Sequence, residues 1–177
     1  MIHLVYGGSG SGKSAYAEKL VMKLNSEKKY YLATMKVFGD EGQRKIQRHR
    51  KLRNGKGFIT LEMETLNSSP SIKELVQEKN STVLIECISN LVANEMFQDD
   101  ETVQPEKVVE KIRSNFDDIK NCAENFVIVS NNVFEDGIEY DEPTKKFMEA
   151  LGDINIFFAS IADKVTEVVC GIQMEIK

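Results

Sequence analysis

Short apolar runs alternate along this chain with longer stretches in which apolar residues return every three or four positions. Ile2 to Tyr6 suits a buried strand, and Ser14 to Leu24 carries apolar residues at helical spacing. Lys28 to Thr34 (KKYYLAT) reads as a second strand and Phe58 to Glu62 (FITLE) as a third. STVLIECIS holds a strand of β-branched and apolar residues running into Glu86, and NFVIVSNN holds another running into Asn131 and Asn132. Helices are predicted over Asp40 to Arg53, Ser71 to Glu78, Ile88 to Phe97, Pro105 to Asn125 and Thr144 to Ala162, with Pro105 and Pro143 suited to first turns. VTEVVCGIQMEI reads as two strands around Cys170-Gly171, a hairpin closing one edge of the sheet. NSSPS (Asn67 to Ser71) and FQDDETVQP (Phe97 to Pro105) read as surface loops. The repeated β-α order predicts an α/β fold with a mostly parallel sheet flanked by helices and a C-terminal β-hairpin.

The length of 177 residues and 41% hydrophobic content predict one domain, residues 1–177, with a proper core. A net charge of −5 argues against a nucleic-acid-binding surface, which needs a clustered basic face. Cys87, Cys122 and Cys170 are scattered, so neither a disulfide framework nor a zinc site is indicated, and a reducing cytoplasm fits. The longest apolar run, Ile154 to Ala162, is too short to span a bilayer, and no signal peptide is expected.

Between the first strand and the first helix, Gly7, Gly8, Ser9, Gly10, Ser11, Gly12, Lys13 and Ser14 spell G-x-x-x-x-G-K-S. This is the P-loop spacing, in which glycines let backbone N–H groups turn inward around an anion. Lys13 would reach the β- and γ-phosphates of a nucleoside triphosphate, and Ser14 would sit on Mg2+. The fold class becomes P-loop NTPase-like. The motif names neither the base nor the acceptor.

Glu86 ends the fourth strand, where a carboxylate can hold Mg2+ or, alternatively, accept the two donors of a guanine edge. Sequence does not separate the two roles. His3 reads as a half-buried strand residue whose polar edge is satisfied locally. His49 lies in RKIQRHRKLR (Arg44 to Arg53), where seven of ten residues are basic. On a helix its imidazole projects beside guanidinium groups, which would lower its pKa and hold an anionic phosphate. A histidine attacking phosphorus is chemically competent, yet the spacing alone describes only a solvated basic helix.

Taken in order, LVYGGSGSGKS, YLAT, DEGQRKIQRHR, LIECISNLVAN and ADKVTEVVCGIQMEIK resemble the bifunctional adenosylcobinamide kinase / adenosylcobinamide-phosphate guanylyltransferase family of cobalamin assembly. Its most specific element is here Lys45-Ile46-Gln47-Arg48-His49-Arg50. The resemblance implies that His49 takes GMP from GTP as a covalent phosphoramidate. It also implies nucleotide contacts from the P-loop, from Ala33, Thr34 and Met35, from Arg50, Lys51, Leu52 and Arg53, and from Glu62 and Glu86. GTP and ATP are the implied nucleotide substrates, a corrinoid the second substrate, and a homotrimer the assembly. The chain departs from the family pattern after the fifth strand, with Asn131-Asn132-Val133-Phe134 for Asn-Glu-Val-Gly and Gly137-Ile138-Glu139-Tyr140 for Gly-Ile-Val-Pro. The alternatives are a simple small-molecule kinase without a covalent intermediate and a nucleotide-binding regulatory protein without turnover.

Overall fold

The computed structural model describes residues 1–36, 47, 50, 51, 53–66, 72–76, 80–98, 101–134 and 137–177. Seven strands form one sheet: β1 (Ile2–Gly7), β2 (Lys28–Ala33), β3 (Phe58–Glu62), β4 (Ser81–Glu86), β7 (Asn125–Asn131), β8 (Lys164–Val169) and β9 (Ile172–Glu175). Their order is β3-β2-β4-β7-β1-β8-β9, parallel throughout except for β9, which runs antiparallel to β8. The helices are α1 (Lys13–Lys23), α2 (Ile72–Leu75), α3 (Ile88–Met96), α4 (Pro105–Ile119) and α5 (Glu142–Ile161).

The central strands are buried on both faces, so their apolar residues sort by period two into two layers. Leu4, Leu32, Val83, Ile85, Phe126 and Ile128 face the larger core, which α3, α4 and α5 cover with Leu91, Ile112, Phe116, Leu151 and Phe158. Val5, Tyr31, Leu84, Val127 and Val129 face the smaller core, where α1 contributes Ala17 and Val21. Among the described residues, the P-loop helix α1 is the helix that packs on this face of the sheet.

Several boundaries differ from the sequence reading. The helix expected to reach Asn125 stops at Ile119, because the chain is drawn into the sheet when Glu124 N donates to Ser81 O at 3.1 Å and Phe126 N to Met1 O at 2.9 Å. The last helix starts at Glu142, two residues early: the Asp141 carboxylate accepts from Thr144 N at 3.0 Å and Pro143 occupies the first turn. The stretch read as a loop from Phe97 holds a small antiparallel ribbon, β5 (Phe97–Gln98) with β6 (Glu101–Thr102), closed by Val103 N donating to Met96 O at 2.9 Å. The expected Cys170-Gly171 hairpin is present, with both turn residues at positive φ, 50° and 80°. Of the helix expected over Asp40 to Arg53, the residues Gln47, Arg50, Lys51 and Arg53 are helical and the others lie outside the described residues. Asn67 to Ser71 and 77–79 lie outside them too. Among the described residues no helix is long and apolar enough to cross a membrane.

Candidate active site

Because the strands run parallel, β1, β2, β3, β4 and β7 all deliver their carboxyl ends to one edge. Ala33 stands in register with Glu62 on one side and Glu86 on the other, and Gly7 with Asn131. Residues in register on parallel strands share a face, so Glu62 and Glu86 lie about 10 Å apart across Ala33. Three residues scattered through the sequence thus form one row.

The P-loop leaves β1 at Gly7, where a side chain is excluded: a Cβ there would stand 2.5 Å from Val168 O. Gly12 enters the helix at φ 93° with no side-chain cap, which leaves the first-turn N–H groups facing the loop. The hairpin supports the loop from beneath, with Gly171 N donating to Ser11 O at 2.8 Å. Lys13 Nζ folds back to donate to Gly8 O at 2.9 Å. Burial holds the Lys13 ammonium below the usual lysine range, opposed by the nearby Cys87 and Glu86 side chains.

Ser14 Oγ donates to Glu86 Oε1, so the P-loop hydroxyl and the strand-end carboxylate meet directly. Glu86 Oε2 is buried with no hydrogen-bond partner. Burial pushes the Glu86 carboxyl up from 4.5 to about 7, while the Ser14 hydrogen bond and Lys13 pull the other way. Glu86 and Ser14 suit a hard cation: two oxygens side by side, one lone oxygen left over, and Lys13 close by for the triphosphate. Among the described residues no group of three or more His, Cys, Asp or Glu side chains could hold a metal alone, so such a cation would take its remaining ligands from phosphate and water.

A raised carboxyl pKa has a stability consequence. The folded protein binds a proton at Glu86 that the unfolded chain has released between pH 4.5 and about 7, so this contribution is present below 4.5 and lost as pH rises to 7. Glu86→Gln carries no such charge. We expect it to match the wild type at pH 4.5 and to exceed it by about 3 kcal/mol at pH 8 without nucleotide or divalent cation. Urea unfolding at both pH values measures this, and a difference that does not change with pH would refute it.

The remaining expected site residues divide. Thr34 is committed within the protein: its amide donates to Glu86 O at 3.0 Å and its hydroxyl to Cys87 O at 2.8 Å, while Asn94 Nδ2 donates to Thr34 O at 2.7 Å. Ala33 and Met35 flank it at partly exposed positions. Arg50 pairs with Glu62, both exposed. Lys51 is exposed, and Leu52 and His49 lie outside the described residues. Arg53 is buried, its guanidinium 3.6 Å from the centroid of the Tyr31 ring. His3 is fully rather than half buried, and its partner is remote: Nε2 meets Thr166 Oγ1 at 2.8 Å, while Nδ1 has none. On the α1 face the ring meets Tyr16 edge-on, with centroids 6.4 Å apart.

Sequence reasoning missed a polar chain beside the P-loop. Asn131 Nδ2 donates to Ser89 Oγ at 2.5 Å, and Ser89 Oγ lies 3.1 Å from Cys87 Sγ. Burial pushes the Cys87 thiol up, so it stays a neutral thiol beside Lys13. Only the polar ending of the strand NFVIVSNN hinted at this cluster.

Residues 3–176 match the family described as cobinamide kinase / cobinamide phosphate guanyltransferase. The chain belongs to this family. It is 28% identical over 189 residues to the bifunctional adenosylcobalamin biosynthesis protein CobU of Escherichia coli (strain K12), with 100% of each chain covered. It is 27% identical to the CobU of Salmonella typhimurium, again over 100% of both chains. With the CobP protein of Pseudomonas aeruginosa it shares 25% identity over 100% of this chain and 98% of that one. In fold it is similar to the flagellar accessory protein FlaH of Methanocaldococcus jannaschii, with a TM-score of 0.52 at 12% identity, covering 99% of this chain and 77% of that chain. It also resembles the KaiC-like protein PH0186 of Pyrococcus horikoshii OT3, with a TM-score of 0.53 at 13% identity, covering 94% of this chain and 71% of that one. Both show the P-loop NTPase-like architecture and, at such identities, the fold alone.

Proposed function

We propose that this cobinamide kinase / guanyltransferase family member works in cobalamin assembly as a single-domain, cytoplasmic enzyme with two reactions. The meeting of Lys13, Ser14 and Glu86 at the mouth of the P-loop carries the reading, since an ammonium, a hydroxyl and a carboxylate at a glycine turn suit a triphosphate and its cation. In the first reaction the aminopropanol hydroxyl of adenosylcobinamide takes the γ-phosphoryl of ATP or GTP. Lys13 and the loop amides stabilise charge on the transferring group. Ser14 and Glu86 would hold Mg2+, which supplies further neutralisation of the triphosphate when bound.

In the second reaction His49 attacks the α-phosphorus of GTP, the bond to the β-phosphate oxygen breaks, and pyrophosphate leaves. A phosphate oxygen of adenosylcobinamide phosphate then displaces the imidazole, giving adenosylcobinamide-GDP and free His49. Incubating the protein with α-labelled GTP tests this: label should become protein-bound, alkali-stable and acid-labile, and should be discharged by adenosylcobinamide phosphate. A protein that turns over triphosphate without taking label would be a simple kinase, and one that does neither a nucleotide-binding regulator.

The geometry favours different duties for the two acids. Glu86 touches the P-loop serine and belongs to the phosphate end. Glu62 lies two strands away with Arg50 on its carboxylate and belongs to the base end. Glu62→Gln should cut the preference for GTP over ATP in adduct formation about ten-fold or more, because an amide places a donor against guanine's donors. Glu86→Gln should keep that preference and raise the Mg2+ requirement. Reversal of the two effects, read from initial rates with each nucleotide, would exchange the assignments.

The family resemblance implies a homotrimer, and the edge strand supports self-association. Val169, Ile172 and Met174 are exposed on β8 and β9 and Ile176 just beyond the end of β9, the last three at spacing two. Sedimentation would read the mass.

A further inference from the structure

Beyond the phosphate site, a buried carboxylate meets a partly exposed ammonium on the α1 face of the sheet. Glu18 is only 1% exposed, although it stands four residues after Ser14 on the same side of α1. Its Oε2 accepts from Lys56 Nζ at 2.5 Å, and its Oε1 is buried without a partner. Three residues before Lys56, Arg53 is buried with its guanidinium over the Tyr31 ring, which in turn meets Phe58 edge-on with centroids 6.0 Å apart. Between these two anchors the chain makes a tight turn, in which Asn54 N donates to Lys51 O at 3.3 Å and Lys56 N to Arg53 O at 3.1 Å. Gly55 and Gly57, at φ 77° and 72°, let that turn end the helix and bring Lys56 back to α1.

An ion pair whose carboxylate is fully buried is a poor device for stability alone. Its desolvation cost offsets its attraction, and an apolar pair of similar volume serves as well or better. An unpaired Glu18 oxygen adds to the cost. What a charged pair supplies that an apolar one does not is a single geometry. Here the geometry concerns the relation between the P-loop helix and the helical segment that contains Arg50, the residue next to His49.

We propose that Glu18–Lys56 and Arg53–Tyr31 are positioning contacts that pin the distal end of the His49-bearing segment to α1 and β2, and thereby set the reach of its nucleophile toward the phosphate site. The proposal rests on the reading of His49 as the group that takes GMP. It extends that reading to Glu18, Lys56 and Tyr31, which the family resemblance does not place among the nucleotide contacts. The pin is expected to act chiefly on one reaction: γ-phosphoryl transfer uses Lys13 and Glu86, whose direct hydrogen bonds are to Gly8 and Ser14 and not to Lys56.

The test compares Lys56→Met, which strands a buried carboxylate and can lose stability, with the paired variant Glu18→Met/Lys56→Met, which replaces the charges by apolar side chains and should fold. Lys56→Arg is the conservative control. At saturating GTP the paired variant should form the GMP adduct at least ten-fold more slowly than wild type, with its triphosphate Kd and corrinoid phosphorylation from ATP within about two-fold. Lys56→Arg should recover most of the adduct rate. Hydrogen exchange at the Asn54 and Lys56 amides, which close the turn, should quicken at least ten-fold in the paired variant. Adduct formation and exchange that both match wild type would overturn the proposal, as would an equal loss of adduct and kinase rates. If wild-type protein takes no GMP, the histidine reading fails by itself, and amide exchange then decides the pin: unchanged protection in the paired variant overturns it.

Discussion

Lys13→Ala is expected to abolish phosphoryl transfer in a protein that stays folded. The ammonium is buried at the mouth of the loop, resting on Gly8 O at 2.9 Å, and burial already disfavours its charged form. Such a group is preorganised: it has lost water before the nucleotide arrives, so the developing charge on the γ-phosphoryl meets it without reorganisation. Removing it should cost about a thousand-fold or more in kcat, with weaker triphosphate binding besides. The fold should persist because Lys13 is the first residue of α1, where alanine is an excellent helix former, and because, among the described residues, the ammonium's hydrogen bond is to Gly8 O. Lys13→Arg should fail nearly as badly, since a planar guanidinium cannot occupy the point-charge position inside the glycine turn. Turnover with saturating ATP and corrinoid, alongside circular dichroism, measures both. A folded Lys13→Ala protein with unchanged kcat would remove the P-loop assignment.

The strands were legible because their burial is two-sided. In β4 the alternation Val83, Ile85 against Leu84 fills two cores at once, so the whole run reads as apolar whichever face is counted. The β5–β6 ribbon was not legible: two residues per strand offer no period, and FQDDETVQP carries more turn formers than strand formers. The P-loop and Glu86 were legible for another reason, being a contiguous motif and an acid at the end of an apolar strand. Their contact through Ser14 was not, because strand β4 comes beside β1's neighbour β7 only through the sheet order. The same limit explains Glu62, whose row with Ala33 and Glu86 depends on β2 lying between β3 and β4. Arg53 shows how a basic residue can be misjudged from a basic neighbourhood: it stacks on an aromatic ring from a strand 22 residues earlier, and nothing local in RKIQRHRKLR distinguishes it from its exposed neighbours. Glu18 carried a faint signal, an acid between Ala17 and Val21 on a buried helix face, but its partner is 38 residues away.

His49→Ala is expected to lose GMP labelling and nucleotidyl transfer completely while keeping corrinoid phosphorylation. A P-loop's amides and lysine serve to cradle phosphates and stabilise their charge. The nucleophile is expected from another element. The chain has two histidines, and His3 is unsuited: it is buried within the sheet, its Nε2 is engaged by Thr166, and burial holds its pKa down. Cys87 lies beside the loop, yet burial keeps it a thiol, and a thiol is a weak nucleophile. Lys13 could in principle form a phosphoramidate with the same acid lability as a histidine adduct, so the stability of the label alone does not name the residue. Substitution does. His49→Ala should show no protein-bound label from α-labelled GTP under conditions where wild type labels fully, with ATP-dependent corrinoid phosphorylation retained because Lys13, Ser14 and Glu86 are untouched. His3→Ala, checked for folding because it leaves a cavity in the core, should label like wild type. Alkali-stable label of wild-type amount in His49→Ala, lost instead in Lys13→Ala, would move the nucleophile to the P-loop and leave a basic helix that only gathers phosphate.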